Sequence, residues 1–128
     1  MKKLFVSVPT EGRALPDICK SVNKMQSIAE LLAGEVLEHL PVMLNDDAPK
    51  DANADIWHLS KSIEALSYAD YFIGIEETWE WEKCRIEASI ARYYDIKMFE
   101  ISAECISPDL EEHLSKRERE RRRQINED

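Results

Sequence analysis

The stretch Lys83-Cys84-Arg85-Ile86-Glu87-Ala88 places a carboxylate about one turn into a predicted helix. A short hydrophobic strand and an acidic, Trp-containing loop precede it. In an open α/β sheet that is where ligands bind, outside the carboxyl ends of the strands. A lone glutamate there suits attack on, or stabilisation of, an electron-poor sugar carbon. A plainer role stands beside it: the helix dipole favours a carboxylate in the first turns whether or not it reacts. Cys84 reads as a buried helix residue, since only Lys83 and Arg85 stand near enough to activate a thiol.

The elements that must position Glu87 follow from periodicity. Leu4-Phe5-Val6-Ser7-Val8 is a buried-strand pattern ended by Pro9, and the segment from Thr10 to Ala14, with Gly12, is a loop. From Pro16 the period lengthens. Leu15, Ile18, Val22, Met25, Ile28, Ala29 and Leu32 recur at helical steps, with Gly34 as the stop. Glu35 to Val42 supplies a second strand, with Val36 and Leu40 among its apolar members and Pro41 marking a frayed or edge end. Asn45 to Asp55 is polar and predicts a long loop. Trp57, Leu59, Ile63 and Leu66 mark a second helix, Tyr71 to Ile75 a third strand, residues 82–94 a third helix, and Ile96 to Ile101 a fourth strand. A fourth helix starts near Pro108, anchored by Leu110 and Leu114; nothing apolar repeats beyond Leu114. Alternating strands and helices predict an α/β fold with a parallel sheet covered on both faces.

With strands 1 and 3 as neighbours, a crevice opens between them, lined by loops 9–14 and 76–81 and closed over by loop 43–56. It would gather Ser7, Thr10, Gly12, Arg13, Asp70, Glu76, Glu77, Trp79, Trp81 and Glu87. A polar, carboxylate-rich pocket with aromatic walls fits a neutral or base-bearing sugar better than a polyphosphate. No GxGxxG or GxxxxGK[ST] loop is present, and three glycines leave no dinucleotide cradle. The structural alternatives are concrete: Arg85 neutralising the acidic loop, Trp79 and Trp81 packing as a lid, and Asp70 capping the strand entry.

Composition narrows the classes further. The 128 residues suffice for one core, and 44% of them are apolar, which suits a globular domain. No apolar run approaches a membrane span, and Met1-Lys2-Lys3 opens no signal peptide, so the expected setting is cytoplasmic. Cys19, Cys84 and Cys105 form no CxxC, and His39, His58 and His113 lack metal-ligand spacing, so neither a metal nor a cofactor is expected. Residues 116–123 hold six basic and two acidic side chains; without 116–128 the body carries 11 basic and 22 acidic residues, a net −11. That body repels nucleic acid. The Arg-rich run reads as a solvated helix end or a disordered extension, with contact to an anionic partner as the alternative.

Taken together, these residues resemble a family of small bacterial and phage-encoded proteins of unknown function within the nucleoside 2-deoxyribosyltransferase-like superfamily. The resemblance covers residues 2–101. It rests on Phe5-Val6-Ser7-Val8-Pro9 followed by Gly12-Arg13, on Asp46-Asp47-Ala48-Pro49, on Trp57 through Ile63, on Ala69-Asp70, and on Cys84-Arg85-Ile86-Glu87. It implies a Rossmann-like three-layer α/β/α sandwich with four to five parallel strands over residues 1–106, followed by the charged helical tail 107–128. It also implies Glu87 as a nucleophile at the anomeric carbon and Asp70 as the group that protonates the departing base. The chain departs from the characterised transferases in carrying Trp79-Glu80-Trp81-Glu82-Lys83 where they have an Asp and a Gly, which leaves Glu80 or Glu82 as the substitute acid.

The expected activity is N-glycosyl transfer or hydrolysis on a nucleoside or nucleotide. Ser7, Pro9, Thr10, Gly12 and Arg13 would grip sugar or phosphate, Trp79 or Trp81 would stack on the base, and Arg85 would stand beside the ligand. The alternatives are a non-catalytic nucleotide-binding module, phage-encoded or not, that senses or sequesters a nucleotide-derived signal, and an interaction protein working through its tail. By the same resemblance, a homodimer or larger assembly is expected.

Overall fold

The computed structural model describes residues 1–41 and 47–127. Its elements are β1 (Lys3–Val6), α1 (Leu15–Ala33), β2 (Glu38–His39), α2 (Ala54–Leu66), β3 (Tyr71–Ile75), a 3-10 turn (Thr78–Glu80), α3 (Glu82–Tyr93), β4 (Lys97–Ile101), a second 3-10 turn (Ala103–Cys105) and α4 (Pro108–Glu127). The four strands form one parallel sheet in the order β2-β1-β3-β4. No described helix is long and apolar enough to cross a membrane.

Strand alternation sorts the core into two layers. Leu4, Val6, Tyr71, Ile73 and Ile75 pack with Ile18, Val22, Met25 and Ala29 of α1 and with Leu110 of α4. Phe5 and Phe72 turn the other way, toward Leu66 at the end of α2 and Ala88 and Ala91 of α3. The result is a three-layer α/β/α sandwich with β1 and β3 adjacent, so chain direction across the sheet switches between them.

Several predicted boundaries shift for identifiable reasons. α1 ends where expected, at Gly34 with φ of 74°, whose N–H returns to the Glu30 carbonyl. Its outermost apolar positions, Leu15 and Leu32, are 46% and 55% exposed. A helix of 19 residues runs about 28 Å, whereas a five-residue strand spans roughly 17 Å, so the end turns overhang the sheet.

The second strand is two residues long rather than the predicted eight. The Leu37 N–H is taken by the Glu30 carboxylate at 2.9 Å, which withholds it from the ladder, and Val36 turns outward. Val42, like Met43 to Asp46 of the predicted loop, lies outside the described residues. α2 begins before Trp57 because the Asn53 side chain accepts the Ile56 N–H at 3.1 Å and caps the helix at Ala54.

Residues 108–127 form one continuous helix. Leu110 is buried and Leu114 packs against the core, while Arg117 and Arg121 reach back to Glu80 in the β3–α3 connection. The basic run therefore begins as a docked helix rather than a disordered extension.

Gly74 sits where β3 passes beneath Ser7. A Cβ there would lie 2.8 Å from the Phe72 ring and 3.5 Å from the Ser7 Cβ. Phe72 is fully buried and has nowhere to move. Gly74→Ala is expected to cost about 1–3 kcal/mol by overpacking, read as a lower urea midpoint with an unchanged slope.

Candidate functional site

Ser7 continues β1 past its last paired residue. Its N–H donates to the Ile73 carbonyl at 2.8 Å, and its hydroxyl donates to Glu87 Oε1 at 2.8 Å. Glu87 lies on the face of α3 turned to the sheet and is only 2% exposed. Burial pushes its carboxyl above the usual glutamate range. The charge of Lys83 and the hydroxyls of Ser7 and Ser62 offset this only in part. Burial, then the neighbouring Glu87 charge, pushes the Cys84 thiol up to about 12, so it stays protonated and is no nucleophile.

Two spaces adjoin this carboxylate. A small pocket of about 10 Å³, room for roughly one water, is bounded by Phe5, Val8, Pro41, Ser62, Lys83 and Glu87. Beside it an open cleft of about 770 Å³ runs between the β1–α1 loop and the first turns of α2 and α3. Its lining includes Thr10, Glu11, Asp55, His58, Glu82, Lys83 and Ile86. Lys83 borders both spaces, whereas Glu87 borders only the small one. The cleft lies at the carboxyl ends of β1 and β3, the switch point of the sheet.

The structure brings only some of the predicted residues together. Ser7 and Glu87 meet, Thr10 lines the cleft, and Pro9 is buried beneath it. Arg13 borders the cleft, but its guanidinium is turned into the protein. It donates to Asp109 at 2.7 and 3.0 Å, to the Pro9 carbonyl at 2.8 Å and to Ser21 at 2.7 Å. It is a clamp between the β1–α1 loop, α1 and α4, which leaves little of it for a ligand.

Gly12 and Trp81 border a different cavity of about 450 Å³ on the α4 side, where the Trp81 ring lies 5.1 Å from His113. Trp79 is 58% exposed, and Arg85 points outward in an ion pair with Glu82.

Asp70 is not at the site. Its carboxylate accepts the Lys3 N–H at 2.8 Å, at the opening of β1, whereas Ser7 and Glu87 meet at the other end of that strand. Four residues of extended chain put about 13 Å between them, too far for one leaving group to touch both. Asp70 is the strand-entry cap. Asp70→Ala is therefore expected to leave any Glu87-dependent turnover within about threefold and to cost no more than about 1 kcal/mol in urea denaturation.

Glu80 is also removed from candidacy as an acid. Its side chain is 7% exposed and accepts from Arg117 at 3.2 Å and Arg121 at 2.7 Å. Burial alone would raise its carboxyl, but the two arginines outweigh that and hold it below the usual range. Among the described residues no cluster of three or more His, Cys, Asp or Glu side chains is arranged to hold a metal.

Three residues assigned no role from sequence belong to the site: Lys83, Ser62 and His58. Their signal was present as spacing. Lys83 precedes Glu87 by four residues, and His58 precedes Ser62 by four, so each pair occupies one face of its helix. Compared with protein-family models, with curated proteins and with solved structures, the chain matches none.

Proposed function

We propose that the protein catalyses N-glycosyl transfer or hydrolysis on a nucleoside, with Glu87 attacking the anomeric carbon. The observation that carries this is a carboxylate buried at the switch point beside a large cleft. Among the described residues it forms no ion pair within 4.0 Å, and the groups that bear on its oxygens are the hydroxyls of Ser7, at 2.8 Å, and Ser62. A fold that needed only a helix–sheet contact would be served better by an apolar residue, because a buried carboxylate carries a desolvation cost.

The cleft favours a neutral substrate. Glu11, Asp55 and Glu82 face Lys83, and Arg13 is already held by Asp109, so a polyphosphate would meet net negative charge. The resemblance to deoxyribosyltransferase-like proteins supports the same reading. A homodimer or larger assembly and a cytoplasmic setting belong to this proposal.

One observation favours the second reading, a nucleotide- or nucleoside-binding module without turnover. The pocket at Glu87 holds about one water, too little for a sugar, and Glu87 is not among the residues that line the large cleft. Incubation with a panel of deoxynucleosides and their 5′-monophosphates, with and without a second free base, separates the two. Chromatography should reveal base release or exchange by the wild type and none by Glu87→Gln. Ligand bound by both proteins without any product supports the binding module.

A further inference from the structure

We infer that His58 is the proton donor to the departing base, taking the place that Asp70 and Glu80 cannot fill. The inference rests on the glycosyl-transfer reading. A base leaves a sugar poorly as an anion, so a positioned acid must protonate it as the glycosidic bond breaks. The cleft offers five titratable side chains for this, Glu11, Asp55, His58, Glu82 and Lys83.

Four of these are poorly placed. Asp55 is exposed at the start of α2, and Glu82 is already paired with Arg85. Glu11 is exposed at the tip of the β1–α1 loop. Lys83 stands next to Glu87 and favours its ionised form, which is the state a nucleophile needs.

His58 is half-buried, and the edge of its ring packs against Trp57 with centroids 5.1 Å apart and planes at 79°. It lies one helical turn ahead of Ser62, whose hydroxyl bears on Glu87. α2 and α3 pack side by side on the same face of the sheet, and both start at its cleft end. His58 and Lys83 thus line the cleft together, each one helical turn ahead of Ser62 and Glu87 on its own helix.

In the first step a Glu87 oxygen bonds to the anomeric carbon as the bond from that carbon to the base nitrogen breaks. The electron pair of that bond goes to the base. The imidazolium proton of His58 passes to a ring nitrogen, and a neutral base leaves. In the second step water, or an incoming base, attacks the same carbon, its proton returns to the neutral imidazole, and Glu87 departs as a carboxylate.

The test uses the full chain, with 2′-deoxyadenosine and thymidine as substrates beside 4-nitrophenyl 2-deoxyriboside, whose nitrophenolate leaves without a proton. His58→Gln is expected to lose about 100-fold or more on the nucleosides and less than about fivefold on the nitrophenyl glycoside. In His58→Ala, added imidazole is expected to restore base release. Equal loss on both substrate types, or no loss on either, overturns His58 as donor while leaving Glu87 as nucleophile. A wild-type protein that cleaves none of the substrates overturns the glycosyl-transfer reading itself, and this inference with it.

Discussion

Glu87→Gln is expected to stabilise the protein at neutral pH while removing the glycosyl-transfer turnover proposed for it. The folded carboxyl holds its proton more tightly than the unfolded one, whose value is near 4.5, because burial disfavours the charge. Between 4.5 and the raised folded value the native state therefore binds more protons than the unfolded chain, and stability falls as pH rises through that window. Above the window the whole cost of the buried charge is present; below it the cost is gone. A glutamine keeps an oxygen to accept the Ser7 hydroxyl and removes the charge.

The gain at pH 8 should be about 1 kcal/mol, or roughly 3–5 °C in Tm, and should vanish as pH falls toward 4.5. Turnover should drop on the order of 10³-fold or more, the usual consequence of deleting a nucleophile. Paired thermal melts at pH 8 and pH 5 supply the measurement. A variant less stable than wild type at both values would make Glu87 a structural residue joining α3 to β1.

Arg13→Ala is expected to be strongly destabilising, with about 3 kcal/mol lost. The guanidinium is 5% exposed and serves Asp109, Ser21 and the Pro9 carbonyl at once. Its removal leaves Ser21, itself fully buried, and the Pro9 carbonyl without that donor, and frees the start of α4 from α1. Asp109 is about a third open to solvent, which keeps the loss below that of a fully buried pair. Arg13→Lys should recover only part of it, since an ammonium cannot span the fork of contacts.

The acid dependence follows from the same pair. The Arg13 hydrogen bond holds the Asp109 carboxyl below its ordinary 3.8, so the stabilisation is complete above that value and is lost as pH falls through the folded one. The gap between wild type and Arg13→Ala in urea midpoint should accordingly narrow in acid. An Arg13→Ala protein of wild-type stability that has lost its ligand would instead restore Arg13 as a substrate grip.

The contrast between Glu87 and Arg13 explains what the sequence could convey. Glu87 and Ser7 were legible as neighbours because both follow from topology. Adjacent parallel strands bring the end of β1 beside the helix that follows β3. Arg13 looked like a ligand grip because its partner, Asp109, lies 96 residues away on a helix whose docking no local pattern announces. Asp70 was misplaced for a related reason. Its position beside a buried strand was correct, but motif order does not say which end of the sheet a residue faces.

The shortened β2 reflects a competition that periodicity cannot see, between a ladder and the Glu30 side chain for the Leu37 N–H. The docking of the basic run was hidden likewise. Arg117 and Arg121 look solvated until Glu80 is found within reach of both.

The central claim, that Glu87 is a nucleophile toward a sugar carbon, is tested most directly by trapping the adduct it would form. The protein should be incubated with a 2′-fluoro-2′-deoxynucleoside, whose electron-withdrawing fluorine slows breakdown of the glycosyl ester, and the intact mass and peptide map recorded. The account predicts one added fluorodeoxyribosyl group on the peptide containing Glu87, absent from Glu87→Gln and retained in Asp70→Ala. Release of base without any adduct, or an adduct that persists in Glu87→Gln, would contradict it.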